Sequence, residues 1–170
     1  AHHLRISGEL TLLKHKVRGL AGLKKIVSGL KNKGKRIVFT NGCFDLLHYG
    51  HVNYLQEAKK KGDILIVGVN SDASIRRIKG RNRPIIDEKN RLSVVAALES
   101  ADYVVMFKED TPLKLIKALR PDVLVKGADW DKKDIVGGDF VSSYGGKVTT
   151  IKLSKGYSTT EIIEKIAKTF

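Results

Sequence analysis

Ile37-Val38-Phe39-Thr40-Asn41-Gly42-Cys43-Phe44-Asp45-Leu46-Leu47-His48-Tyr49-Gly50-His51 is the stretch on which the reading of this chain turns. Its apolar start suits a buried strand over Ile37–Thr40. Beyond it, Val52, Leu55 and Ala58 share one face of a helix over 50–61 that Gly62 stops. The chain therefore leaves a strand through a glycine-containing loop and enters a helix at His-x-Gly-His. His48 and His51 are three apart and fall on one face at the helix N-terminus, where unpaired backbone N–H groups and the macrodipole attract anions. Gly50 between them allows a ligand close to the backbone. Two imidazoles beside a helix N-terminus make a phosphate site.

Working outward, strands and helices alternate. Leu20, Leu23, Ile26, Val27 and Leu30 give an amphipathic helix over 19–33, stopped at Gly34. A nearly all-apolar strand over Asp63–Asn70 is followed by a helix over 72–78, a basic loop from Lys79 to Pro84 and a helix over 88–100. Strand Tyr103–Phe107 follows, and Thr111-Pro112 reads as an N-cap with proline at the first position of a helix over 112–120. The pattern closes with strand Asp122–Lys126, a weaker helix over 134–144 interrupted by Gly137 and Gly138, strand Lys147–Leu153 and helix 159–169. Strands that read as continuous apolar runs between helices predict a Rossmann-like, doubly wound parallel α/β sheet of about five strands, with helices on both faces. Ligands in such sheets bind beyond the carboxyl ends of the strands, where the strand order reverses. A single domain over 19–170 is expected, preceded by an extension over 1–18 whose start, Ala1-His2-His3, is compatible with a tag remnant.

The net charge of +14 fits a partner that is an anion. The lysines are spread out, however, and no basic stretch is interleaved with aromatic residues in the manner of single-strand binders, so small phosphorylated ligands are favoured over nucleic acid. No apolar run approaches the ~18 residues of a membrane span. One cysteine, Cys43, permits no internal disulfide and suits the reducing cytoplasm. Neither G-x-x-x-x-G-K-[ST] nor G-x-G-x-x-G occurs, which argues against an NTPase or a dehydrogenase.

Further segments carry chemistry. Ser158 with Glu161 is a capping box opening the last helix, and Lys155, Gly156 and the hydroxyls of Ser158, Thr159 and Thr160 make a second anion cradle there. Lys79, Arg81 and Arg83 stand in the loop after the second strand, and Arg91 at the start of a helix. After the fourth strand comes Lys126-Gly127-Ala128-Asp129-Trp130. There Gly127 permits close approach, Asp129 suits hydroxyl groups and Trp130 can cover a ring. A metal held by His48, His51 and Asp45 lacks a further ligand, and none is expected. Cys43, near a helix N-terminus, invites a nucleophilic role, but attack by a substrate phosphate needs no thiol.

His48-x-Gly50-His51 together with Gly156 and Ser158–Thr160 resembles the HxGH nucleotidyltransferase (cytidylyltransferase-like) superfamily, enzymes that join a nucleotide to a phosphorylated acceptor. The stretches TNGCFDLLHYGHVNYL, VNSDASIRRIKGRNRPI, FKEDTPLKLIKALRPDVLVKGADW and GYSTTEIIEKI are similar to the adenylyltransferase domain of the bifunctional heptose kinase/adenylyltransferase, in a stand-alone form. The resemblance implies transfer of AMP from ATP to D-glycero-β-D-manno-heptose 1-phosphate, for the lipopolysaccharide inner core, with Mg²⁺ arriving on the nucleotide. It implies catalytic roles for His48, His51 and Lys79. It also implies nucleotide binding by Thr40, Asn41, Gly42, Cys43, Phe44, Gly50, Arg91, Gly127, Gly156, Tyr157, Ser158, Thr159 and Thr160. Asp45, Lys126, Asp129 and Trp130 then serve the acceptor. A cytoplasmic homodimer with no membrane partner and no specific nucleic acid is expected.

The heptose enzymes usually read Gly-Asp-Tyr where this chain has Ala128-Asp129-Trp130, and Asp-Trp is closer to glycerol-3-phosphate cytidylyltransferase. That enzyme is the alternative within the class. A basic, non-catalytic nucleic-acid-binding module is the alternative outside it.

Overall fold

A computed structural model of the protein describes residues 15–128, 134–152 and 156–169. Helix α1 (Leu20–Asn32) precedes strand β1 (Ile37–Gly42), helix α2 (Tyr49–Lys59), strand β2 (Ile64–Asn70) and helices α3 (Asp72–Lys79) and α4 (Glu88–Ala97). Then come β3 (Tyr103–Phe107), α5 (Leu113–Leu119), β4 (Val123–Gly127), α6 (Gly138–Ser143), β5 (Lys147–Ile151) and α7 (Thr159–Thr169). The five strands form one parallel sheet in the order β3-β2-β1-β4-β5. This is the doubly wound α/β sheet that the apolar runs predict.

Alternate strand residues feed two cores, because successive side chains point to opposite faces. Val38, Leu65, Val67, Val104 and Val125 pack with Tyr54, Leu55 and Ala58 of α2 and Val95 and Ala96 of α4. Ile37, Phe39, Ile66, Val105 and Leu124 pack on the other face with Leu23 and Val27 of α1 and Leu115, Ile116 and Leu119 of α5. Every one of these residues is buried, which is why the strands read as unbroken apolar runs rather than alternating ones.

Carboxylates secure the amino ends of the strands. Asp122 accepts from the Ile37 N–H at 2.7 Å and from Lys31 Nζ at 3.1 Å, and Asp102 accepts from the Leu65 N–H at 2.6 Å. These two acids thus stand at the end of the sheet away from the carboxyl ends where ligands bind.

Three local expectations are corrected. Thr111 does not cap α5: Pro112 holds the cap position and no side chain caps the helix. The interrupted helix shrinks to α6, because Gly137 takes a left-handed φ of 82° and Ile116 Cδ1 lies 2.8 Å from where a Cβ would be. Lys16–Arg18, assigned to the N-terminal extension, run alongside β3, with Val17 bridged to Val104. Among the described residues no helix is long and apolar enough to cross a membrane.

Candidate active site

β1 lies between β2 and β4. The chain passes from β1 through α2 to β2 on one side and returns through α5 to β4 on the other. The carboxyl ends of β1 and β4 therefore flank the crevice where the winding reverses. Asn41 and Gly42 stand on one side of it and Lys126 and Gly127 on the other, and Lys126 Nζ donates to Asn41 Oδ1 at 2.5 Å across the gap. A cleft of about 340 Å³ opens there.

The cleft assembles most of the sequence-predicted residues. Asn41, Gly42, Cys43 and Phe44 come from the end of β1 and the loop after it; His48, Gly50 and His51 from the start of α2. Lys79 ends α3, Lys126 and Gly127 end β4, and Tyr157, Ser158, Thr159 and Thr160 open α7. Ser158 Oγ accepts from the Glu161 N–H at 3.1 Å, the N-cap half of the predicted box. Two helix starts distant in sequence thus face one cleft.

The rings of His48 and His51 stack with centroids 3.9 Å apart, and Phe44 stands 5.4 Å from His51. His48 is the N-cap residue of α2 but its side chain caps nothing, so the ring is free to lie over the helix start. Nδ1 of both histidines is buried without a hydrogen-bond partner. Burial lowers the pKa of His51 to about 4, assisted by His48 and by the Lys79 ammonium; burial also lowers that of His48, against the pull of Glu161. Both rings are neutral at pH 7. A buried Nδ1 without an acceptor places the proton on Nε2, which makes each ring a neutral donor.

Gly50 has a further use beside the one expected. A Cβ there would lie 3.0 Å from the His48 ring and 3.1 Å from Tyr157 Cβ, so the space is filled by the histidine itself and by the approach to α7. Thr40 is corrected. It is fully buried, its hydroxyl paired with Tyr54 Oη at 2.7 Å and the Val125 carbonyl at 3.0 Å, and it does not line the cleft. Gly156 is likewise absent from the lining, with a φ of 77° in the turn before α7.

Asp45 and Arg91 hold the site rather than line it. The Asp45 carboxylate accepts from Arg83 Nε at 2.7 Å and from the N–H groups of Ile85 and Ile86 at 2.9 and 2.8 Å. Burial alone would raise its pKa, but the two backbone bonds and Arg83 outweigh that and lower it. An acceptor-binding role, or a metal shared with the histidines, would break those bonds. Arg91, 1 % exposed, donates to the carbonyls of Ile86, Cys43 and Asn70 at 2.9, 2.5 and 2.8 Å and to Asp72 at 2.8 Å. Four of its five N–H donors are thus spent on the protein, and the side chain does not line the cleft, so its role is to brace rather than to bind a nucleotide. Glu88 accepts from the Asp72 N–H at 2.9 Å, so the Glu-x-x-Arg pair clamps the start of α3.

Burial pushes the Cys43 thiol up, partly offset by Lys79, Arg91 and Arg83, so it stays protonated at pH 7 and is no nucleophile. Asp129 and Trp130 lie outside the described residues. Among the described residues no Asp or Glu lines this cleft, and no three His, Cys, Asp or Glu gather into a metal site. The donor set therefore does not suit a magnesium ion held by the protein; it suits one carried by the phosphates of a nucleotide.

Sequence reading missed a second cavity of about 460 Å³, which shares Asn41, Gly42, Cys43, Lys79 and Lys126 with the first and extends past the ends of β2 and β3. Its other walls come from residues far apart in the chain, and no local motif announces them.

The cytidylyltransferase-like family model matches residues 39–165. The chain is 56% identical over 155 residues to the bifunctional protein HldE of Geobacter metallireducens, covering 91% of this chain and 32% of that protein. It is 54% identical over 147 residues to the protein of the same name from Helicobacter pylori, covering 86% and 31%. The chain thus spans about a third of the length of the curated relatives it matches. Among solved structures, the lipopolysaccharide core biosynthesis protein of Thermoplasma volcanium superposes with a TM-score of 0.60 at 34% identity, over 74% of this chain and 100% of that one. The pantoate-beta-alanine ligase of Francisella tularensis shares the fold at 14% identity, with a TM-score of 0.60.

Proposed function

The chain belongs to the cytidylyltransferase-like family, and from that premise we propose that it is a nucleotidyltransferase joining ATP and D-glycero-β-D-manno-heptose 1-phosphate into ADP-heptose and pyrophosphate. Such a product suits the lipopolysaccharide inner core, in keeping with the 34% identity to a lipopolysaccharide core biosynthesis protein. The observation that carries the reading is the junction: two cavities meet at Asn41, Gly42, Cys43, Lys79 and Lys126, so two phosphorylated substrates bound side by side would bring their phosphates together there.

In this reading the nucleotide enters as its magnesium complex and lies between the two helix starts. An oxygen of the acceptor phosphate attacks the α-phosphorus, a new P–O bond forms, and the bond from the α-phosphorus to the bridging oxygen breaks as pyrophosphate leaves in line. Such transfers need positioning and charge stabilisation rather than a protein nucleophile. His48 and His51 donate from Nε2 to the phosphate oxygens as charge develops, Lys79 and Lys126 supply positive charge at the junction, and the N–H groups and hydroxyls of Ser158, Thr159 and Thr160 hold the leaving end. Neutral donors suit this work, since they stabilise charge without binding the product as tightly as a cation would.

The test incubates the protein with Mg²⁺, ATP or CTP, and heptose 1-phosphate or glycerol 3-phosphate, and measures pyrophosphate. A site built to bond many acceptor hydroxyls rejects a smaller acceptor that leaves its polar groups unpaired, so ATP with heptose 1-phosphate should be faster by roughly 10³-fold or more. A faster rate with CTP and glycerol 3-phosphate would overturn the substrate assignment; pyrophosphate from neither pair would overturn nucleotidyl transfer. A homodimer is proposed with this function, and sedimentation velocity distinguishes it from a monomer.

A further inference from the structure

The second cavity has a polar floor and an apolar rim. Ile78, Pro112, Ile135 and Val136 form apolar wall, while Asn70 and Thr111 stand among them. Asn70 ends β2, is 3 % exposed, and donates from Nδ2 to Ser74 Oγ at 3.0 Å. The proton of that serine is committed to the Glu109 carbonyl at 2.8 Å, so Ser74 can only accept from Asn70. This fixes the amide: its NH₂ faces Ser74 and Oδ1 is left as an acceptor beside the cavity. Thr111, which does not cap α5, makes no side-chain hydrogen bond among the described residues. An oriented amide oxygen and an unpaired hydroxyl, set in apolar walls, match a ligand that has both hydroxyl groups and a carbon skeleton.

We propose that this cavity is the chamber for the carbon skeleton of the acceptor, and that Asn70 and Thr111 are the residues that read its hydroxyl groups. The inference rests on the nucleotidyl-transfer reading above and moves acceptor recognition away from Asp45, whose carboxylate is fully engaged. The acceptor phosphate sits at the shared junction with Lys79 and Lys126, and the polyol extends under β2 and β3 toward Thr111. Asp110 also lines the chamber, but its carboxylate is held by Arg77 Nε at 2.6 Å. It is therefore a wall charge already balanced.

The test measures KM separately for MgATP and for the acceptor in wild type, Thr111→Val, Thr111→Ser and Asn70→Ala. Thr111 is exposed, so its variants keep the fold even where Asn70→Ala does not. Thr111→Val should raise the KM for heptose 1-phosphate roughly tenfold and leave that for MgATP within about twofold, and Thr111→Ser should restore it. Asn70→Ala should show the same split. If the wild type uses glycerol 3-phosphate instead, the substrate assignment fails, and the same split measured on glycerol 3-phosphate still decides the chamber. Acceptor KM unchanged in Thr111→Val, or both KM values rising together, would overturn the chamber while leaving transfer intact. No pyrophosphate from the wild type with either pair would overturn transfer first and the chamber with it.

Discussion

His48 and His51 occupy the centre of the cleft as a stacked neutral pair, and their neutrality has a consequence for stability as well as for chemistry. Removing one donor aimed at developing charge costs about 10²-fold or more in turnover. His48→Ala and His51→Ala should each lose that much kcat, measured by pyrophosphate release, with unchanged circular dichroism. The pH dependence follows from the shift of His51 from 6.5 to about 4. An unfolded chain takes up a proton on this ring near pH 6.5, whereas the folded chain resists until about pH 4. Stability is therefore fully present above pH 6.5 and falls as pH drops through that window, by up to about 3 kcal/mol. Urea titrations at pH 7.5 and 4.5 should show the loss in wild type and a smaller one in His51→Gln, and proton NMR should find the His51 ring neutral at pH 5.5. A ring that titrates near pH 6.5 would contradict the buried neutral pair. These two residues were legible in sequence because their spacing and the glycine between them are local. Asp45 was not legible, because its partners Arg83, Ile85 and Ile86 come from a loop some forty residues on.

The loop between β1 and α2 is shaped from outside itself. Phe44 takes a left-handed φ of 47°, its ring 3.0 Å from where a Cβ on Gly42 would stand. Arg91 of α4 grips the Cys43 carbonyl, and Asp45 grips the loop before α4. The β1–α2 loop and the α3–α4 connection are thus one braced unit. Arg91→Ala removes four hydrogen bonds and leaves Asp72 without its cation, so a loss of about 3–5 kcal/mol in urea unfolding is expected, as for other broken buried pairs. Arg91→Lys should recover only part of it, since one ammonium cannot reach carbonyls on three segments. Equal stability of Arg91→Ala and wild type would remove the brace. Element positions were readable from the sequence, since β3 and α7 were bounded by apolar periodicity and by the Ser158 cap. The short helix α6 and the missing Thr111 cap were not, because Gly137 packing against Ile116 and the position of Pro112 are set by tertiary contact.

Across the whole molecule positive charge stands at both ends of the strands. Asp102 and Asp122 are tied to strand starts, yet Arg36, Lys60, Lys61 and Lys147 surround a hollow of about 230 Å³ at that same end, where only Lys60 has an acidic partner, Glu57, among the described residues. The net charge of +14 is therefore not a property of the cleft alone. Two effects of that charge should separate experimentally. Long-range attraction of anionic substrates depends on the whole field and weakens as salt screens it, whereas the bonds made at the junction are short and screened far less. Raising ionic strength from about 0.02 to 0.3 M should lower kcat/KM several-fold while kcat holds. Affinity for a polyanion such as heparin should fall more steeply, because each neutralised phosphate or sulfate adds to the salt slope. Lys61→Gln with Lys147→Gln, at the end of the sheet opposite the cleft, should weaken heparin retention and leave kcat unchanged. If the double variant instead loses turnover in proportion to heparin affinity, the polyanion and the nucleotide share one surface. Heparin binding with no turnover at all in the wild type would instead describe the non-catalytic basic module.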